Sequence, residues 1–263
     1  MNKIDERISM IKRQGRIGLM AHLVAGYPSL DKTESIACVM AEHGADFIEL
    51  QMPFTDPLAD GPSITEACSI SLKNGTKTRD AMGLVRRISD RTGVPVLFMA
   101  YYNNAFRYGV REFCSDAKAS GASGIIIPDM PVDEEPNEHL IENAVKLGLH
   151  AIRVVAPAST ADRLRKNAVS AKGFVYCTAR QGTTGARPGL GKGIVEYLDK
   201  VRGEFNIPVA VGFGISRREH VLAVKGHADI AVVGSAVINA INKGYGGSER
   251  NVGRLINELL GQR

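Results

Sequence analysis

Residues 47–64 read Phe-Ile-Glu-Leu-Gln-Met-Pro-Phe-Thr-Asp-Pro-Leu-Ala-Asp-Gly-Pro-Ser-Ile, and the change of character along this stretch defines the unit from which the chain is built. Phe47–Gln51 is a short, mostly apolar run of the length and kind of a buried strand. It opens at Pro53 into a loop constrained by Asp56, Pro57, Asp60, Gly61 and Pro62, and then into a helical pattern over 63–74. Glu49 stands near the C-terminal end of that strand, and Asp60 can fold back toward the same place from the loop. Two carboxylates in two environments are the usual raw material of general acid and base chemistry.

The same strand-to-helix transition recurs outward in both directions. Further apolar, β-branched runs lie at Ile17–Ala25, Val94–Ala100, Gly124–Ile127, Ala151–Val155, Gly173–Cys177, Val209–Gly212 and Ile230–Gly234. Each is nearly continuous, as in a parallel sheet covered on both faces. Between them, residues 30–43, 78–92, 107–120, 134–147, 160–170, 193–202, 217–226 and 249–261 space apolar positions three and four apart, often after a capping residue such as Ser29, Thr78, Thr160 or Ser216. Eight β-then-α units leave a closed barrel or an open doubly wound sheet, and their count and even spacing favour an α/β (β/α)₈ TIM barrel. No domain boundary is needed, so residues 1–263 read as one barrel domain. Extra helices are expected at the N-terminus (2–13), after strand two (63–74) and after strand eight (Ser235–Asn242).

Composition fits this reading and excludes others. Across 263 residues, 44% are hydrophobic and 23% charged, enough for a substantial core without metals or staples. The net charge of +5 is modest and its Lys and Arg residues are dispersed, which argues against a nucleic-acid partner. Cys38, Cys68, Cys114 and Cys177 show no metal-ligand or disulfide spacing. Reduced thiols, a polar N-terminus and no apolar run of about 18 residues point to a cytoplasmic protein with no metal site and no membrane span.

Three glycine-bearing turns fall at the ends of the last strands: Ala179–Ala186, Gly212–Ile215 and Gly234–Ala236. Glycine lets an anion approach backbone N–H groups, Ser235 adds a hydroxyl, and the helix that follows points its positive end at the same spot. Tight turns and helix caps explain any one of these glycines, but the ordered trio at consecutive strand ends points to a phosphate site. Desolvation beside Phe47 and Ile48 is expected to raise the pKa of Glu49. Asp56 and Asp60 also suit turns for purely local reasons.

Together, Glu49-Leu50, Pro53-Phe54, Asp56–Pro62, Pro128–Pro131, Arg180, Thr184-Gly185, Gly212–Ile215 and Gly234-Ser235 resemble the tryptophan synthase alpha chain family over nearly the whole length. The Pro53–Pro62 run is the most specific part. The resemblance implies a barrel lyase that splits indole-3-glycerol phosphate into indole and glyceraldehyde 3-phosphate by a retro-aldol reaction. It implies no cofactor in this chain, and a pyridoxal-phosphate-containing beta chain as partner in an alpha2beta2 tetramer. By analogy Glu49 carries protons, Asp60 stabilises charge on the indole nitrogen, and Tyr176 assists beside Glu49. Thr184 would close toward Asp60 from a lid over 180–188. Ile64, Met99 and Phe213 would line the indole slot, Gly185, Gly214, Gly234 and Ser235 would hold the phosphate, and Pro53 and Asp56 would face the beta chain.

The sequence departs from the family pattern near the chemistry. His22 stands where an aromatic residue is usual, and it is expected to be a packed, hydrogen-bonded histidine against the substrate. Gln51 replaces a glycine on the same strand face as Glu49, where its amide could enter the pocket or bond Glu49. Tyr101–Asn104 and Gln181–Thr183 also differ. These departures leave open a free-standing, indole-releasing lyase and a weakly active paralogue that mainly activates a beta chain. Retention of both Glu49 and Asp60 speaks against the latter.

Overall fold

The computed structural model describes residues 1–178, 193–212, 214–244 and 247–262. Its eight strands are β1 (Gly18–Val24), β2 (Phe47–Gln51), β3 (Val96–Met99), β4 (Gly124–Ile126), β5 (His150–Val155), β6 (Val175–Thr178), β7 (Val209–Gly212) and β8 (Ile230–Val233). They pair in parallel in sequence order, and β8 returns to β1, closing the barrel. Each expected strand is present with ends shifted by at most about two residues, the usual uncertainty of element boundaries.

Side chains alternate between two apolar compartments, as the pleat requires. Outward residues such as Ile48, Leu50, Phe98, Val175 and Val211 pack under the helices. Inward residues Met20, Phe47, Leu97, Ile152, Phe174 and Ile230 fill the barrel, with Phe47 and Phe174 edge to face at 6.1 Å. The helix Lys3–Arg13 contributes Ile4, Ile8 and Ile11 to this inner cluster. It closes the N-terminal mouth, where Gly18 and Gly124 leave room for Ile11 and Ile4. Asp46, buried just before β2, accepts both terminal nitrogens of Arg16 at 2.6 Å and the Leu19 backbone N–H at 3.0 Å. That end of the barrel is therefore sealed and tied.

The expected extra helices are found at Lys3–Arg13, Pro62–Lys73 and Ser235–Asn242. Two expected single helices are broken. In place of 107–120 there are helices Tyr102–Tyr108 and Val110–Ala119, separated by Gly109 at φ 94°. In place of 134–147, Glu135–Glu138 and Leu140–Lys146 meet at His139, whose φ is 53°. The Glu135 carboxylate accepts from the Ile141 and Glu142 N–H groups and restarts the second helix. A one-residue interruption leaves apolar spacing nearly unchanged, so periodicity does not detect it. Ser29 and Thr160 cap as expected. The helix expected over 78–92 is found as Thr78–Thr92, with Lys77 in place of Thr78 as its cap and the Lys77 N–H accepted by Asp80. Ser216 is replaced as cap by Arg217, with His220 Nδ1 accepting the Ser216 N–H.

Because Ile4 is fully buried in the barrel floor, Ile4→Ala should lower the unfolding free energy by about 2–5 kcal/mol. Urea unfolding followed by far-UV circular dichroism measures this.

Candidate active site

At the opposite, C-terminal end, the inward positions turn polar. His22 and Glu49 are register partners on β1 and β2. Both face the barrel axis and both are buried, and His22 Nδ1 lies 2.9 Å from Glu49 Oε2. Burial alone would lower the His22 pKa, but the charge of Glu49, its hydrogen bond, the charge of Asp60 and the Gln51 amide together raise it above the ordinary value of 6.5. The other ring nitrogen, Nε2, has no hydrogen-bond partner among the described residues. The expectation of a satisfied histidine is thus met at one nitrogen and overturned at the other.

Gln51, two residues beyond Glu49 and fully buried, turns its amide to Asp60 rather than to Glu49. Its Nε2 donates to Asp60 Oδ2 at 2.6 Å and approaches Cys68 Sγ at 3.6 Å. Of the two possibilities open to Gln51 in the sequence, neither is what the structure shows: the amide does not bond Glu49, and Gln51 is not among the residues lining the cleft. The amide braces Asp60, while its Oε1 has no partner among the described residues. Asp60 also accepts the Tyr101 hydroxyl at 3.0 Å, and that hydroxyl in turn accepts the Ala59 N–H at 3.0 Å. Phe54 stacks on the Tyr101 ring at 5.1 Å. Burial pushes the Asp60 carboxyl above its ordinary range, opposed by the Gln51 amide, the His22 charge and the Tyr101 hydroxyl. Asp60 is therefore a stronger base than a solvated aspartate.

His22, Glu49 and Asp60 line one cleft with about 720 Å³ of empty space, counting its open mouth, while Gln51 and Tyr101 stand behind Asp60 and do not line it. Its wall includes His22, Glu49, Asp60, Ile64, Met99, Tyr176, Gly214, Gly234 and Ser235, so nine of the residues singled out from sequence converge. Tyr176 enters from β6 on the far side, with burial raising its pKa well above 10 and the Glu49 and Asp60 charges adding to the effect. It is a neutral phenol at physiological pH. Gly212 leaves the space that this ring occupies, since a Cβ there would stand 2.7 Å from the Tyr176 hydroxyl. Gly214 has φ +63°, a left-handed conformation that favours glycine. Gly234 caps the helix Ser235–Asn242, whose first N–H groups have no partner within the helix.

Thr184, Gly185, Phe213 and the lid segment 180–188 lie outside the described residues. Pro53 is buried and Asp56 exposed, so of the two residues expected to face a partner only Asp56 presents a free surface. Leu58, 84% exposed, stands beside it.

Sequence reasoning assigned no role to Tyr101, Asp129 or Thr178. The Tyr101–Asn104 run acts as a helix start: Asn104 Oδ1 accepts the Tyr101 N–H. Asp129, within the Pro128–Pro131 motif, accepts the Tyr102 N–H at 2.8 Å and ties the segment after β4 to the segment after β3. Tyr101 follows β3 by two residues, and position just past a barrel strand was the available signal.

Fold and site together define a (β/α)₈ barrel with two buried carboxylates in one C-terminal cleft whose lining includes Gly214, Gly234 and the start of the helix Ser235–Asn242. The family model for "Tryptophan synthase alpha chain" matches residues 8–260. The chain is 39% identical over 249 residues to the tryptophan synthase alpha chain of Thermoanaerobacter sp. (strain X514), covering 95% of this chain and 94% of that one. It is 38% identical over 261 residues to that of Clostridium kluyveri (strain ATCC 8527 / DSM 555 / NBRC 12016 / NCIMB 10680 / K1), covering 98% of each. Among solved structures, Mycobacterium tuberculosis tryptophan synthase superposes with a TM-score of 0.92 at 32% identity, over 99% of this chain and 97% of that one. The tryptophan synthase complex from Pyrococcus furiosus gives 0.86 at 34% identity, over 93% and 98%. The chain belongs to the tryptophan synthase alpha chain family. Among the described residues no helix is long and apolar enough to cross a membrane.

Tyr101→Phe removes the hydroxyl that links Ala59 to Asp60 and should cost about 1–3 kcal/mol of stability. Chemical denaturation of the two proteins, with unchanged dependence on denaturant, is the measurement.

Proposed function

We propose that this chain cleaves indole-3-glycerol phosphate to indole and glyceraldehyde 3-phosphate, as the alpha subunit working with a pyridoxal-phosphate-containing beta chain in the cytoplasm. The observation that supports it most is the convergence of Glu49 and Asp60, from β2 and its loop, on one cleft with Gly234 and Ser235 at its rim. The reaction breaks the bond between indole C3 and the glycerol carbon bearing the adjacent hydroxyl. Glu49 delivers a proton to C3 and takes the hydroxyl proton, and the O–H electrons become the aldehyde carbonyl as the carbon–carbon pair returns to the indole ring. Positive charge on the indole nitrogen in between is met by Asp60, which accepts the indole N–H and is held for that purpose by Gln51 and Tyr101.

Ile64 and Met99 supply apolar wall for the ring. The phosphate rests against Gly214, Gly234, Ser235 and the start of the helix Ser235–Asn242. Thr184, Gly185 and Phe213 complete this reading from outside the described residues. The exposed Asp56 and Leu58 after β2 fit a partner surface. Four free, buried cysteines fit a reducing compartment.

Incubating the chain with indole-3-glycerol phosphate, with and without a beta chain, and measuring free indole tests the assignment. Glu49→Gln should lose at least about 10² in kcat, and wild-type turnover in that variant would remove Glu49 from the chemistry. Gly234→Ala probes the phosphate grip. A Cβ there meets Ile64 at 3.5 Å and His22 at 3.8 Å, ordinary contacts, so the fold should hold. Lost backbone access to the anion should raise KM about tenfold, equivalent to about 1.4 kcal/mol, with the change in KM exceeding that in kcat.

A further inference from the structure

We propose that His22 is a positioning residue for the carbon–carbon cleavage: it holds one carboxylate oxygen of Glu49 and, through its own charge, sets the pH range in which Glu49 works. The proposal rests on the reading of Glu49 as the proton carrier.

Geometry supplies the first half. His22 and Glu49 are directly opposite on paired strands, both inward and both buried. With His22 Nδ1 at 2.9 Å, Oε2 is engaged from the side of β1. The other oxygen, Oε1, is left for substrate. A long acidic side chain with one oxygen fixed cannot swing among rotamers, and reacting atoms are sensitive to small displacements.

Charge supplies the second half. Nδ1–H can donate to Glu49 in both the neutral and the cationic ring, so gain or loss of a proton at the unpartnered Nε2 breaks no hydrogen bond. What changes with pH is one positive charge beside the reacting carboxylate. The groups facing the ring are Glu49 and the neutral Gln51 amide on β2, Asp60 from the following loop, and the neutral Tyr176 across the barrel. The start of the helix Ser235–Asn242 opposes the charge through its N-terminal dipole, and Ile64 and Val232 are apolar. The carboxylates outweigh burial, and the folded value stands above the ordinary 6.5. The imidazolium therefore persists through pH 6.5 and is lost as pH rises through the folded value. A bound phosphate at Gly234 and Ser235 adds negative charge on the same side of the ring.

The test measures kcat and KM for indole release by the full chain with its beta chain, across neutral and alkaline pH, for wild type, His22→Phe, His22→Gln and Glu49→Gln. A parallel NMR titration follows the His22 ring in wild type and in Glu49→Gln. At neutral pH His22→Phe should lower kcat by about 10- to 100-fold, in the range that misplacing a reacting group costs, while KM changes little. Its alkaline decline should no longer follow the His22 titration. His22→Gln keeps a donor for Glu49 without a titrating charge, so it should recover part of kcat but not the wild-type alkaline limb. The wild-type ring should titrate above 6.5 and move down in Glu49→Gln. Wild-type kcat and alkaline limb in both His22 variants, or a ring titrating at or below the ordinary value, would overturn the role of His22. If Glu49→Gln retains full turnover, the reading of Glu49 fails instead, whatever the His22 ring does.

Discussion

A buried carboxylate must be compensated, and the upper half of this barrel is organised around that requirement. The two-residue pleat sends Glu49 and Gln51 inward from β2 and His22 inward from β1, into an interior that is otherwise apolar. Leaving an ionised carboxylate there without donors would cost several kcal/mol. Each acid is accordingly given side-chain donors: His22 serves Glu49, and Gln51 and Tyr101 serve Asp60. For Glu49 the His22 bond is the sole one among the described residues, so the remaining oxygen is available to a ligand. The acids are compensated enough to stay buried and incompletely enough to react.

The lower half meets the opposite requirement. Ile4, Ile8 and Ile11 close the floor, and Asp46 is saturated by Arg16 and the Leu19 backbone. Among the described residues, no buried side-chain nitrogen or oxygen at that end lacks a hydrogen-bond partner. Stability and chemistry thus occupy different ends of the same strands, as is general for this fold. It follows that floor residues set whether the barrel persists, whereas rim residues set what it does. The two sets meet only through strand register, which fixes Met20 opposite Phe47 and, two residues on, His22 opposite Glu49.

Most of this was legible in the sequence because it depends on local pattern. Continuous apolar runs alternating with 3.6-residue periods gave every strand and the order of units. Placement near C-terminal strand ends picked out Glu49, Gly234 and Ser235, the family resemblance added Met99 and Tyr176, and all of them line the cleft. What was hidden depends on which neighbour a side chain chooses in three dimensions. Gln51 had two carboxylates within reach, and strand parity could say only that it shares a face with Glu49. Its choice of Asp60 requires the path of the loop 52–61, which is set by Pro53, Pro57, Pro62 and the Tyr101 hydroxyl under Ala59. Pro53 reads as a surface loop residue and is buried for the same reason. The helix breaks at Gly109 and His139 escaped because a single left-handed residue barely disturbs apolar spacing.

The choice of donors separates the two acids by kind. Gln51 and Tyr101 cannot change charge near neutrality: one is an amide, and burial lifts the other's pKa far above 10, with the Asp60 charge adding to it. Around Asp60 the hydrogen-bond donors are therefore constant, which suits the proposed task of meeting a developing cation. His22 can gain or lose a proton, and it touches Glu49, the acid proposed to carry one. A titratable donor beside the proposed proton carrier makes that carrier responsive to pH, whereas Asp60, held by an amide and a phenol, feels the His22 charge only through space. In the proposed reaction, two neighbouring strands thus place a titratable donor, His22, beside the proton carrier Glu49 and a non-titrating donor, Gln51, beside the charge stabiliser Asp60, so that the two tasks divide within a single cleft.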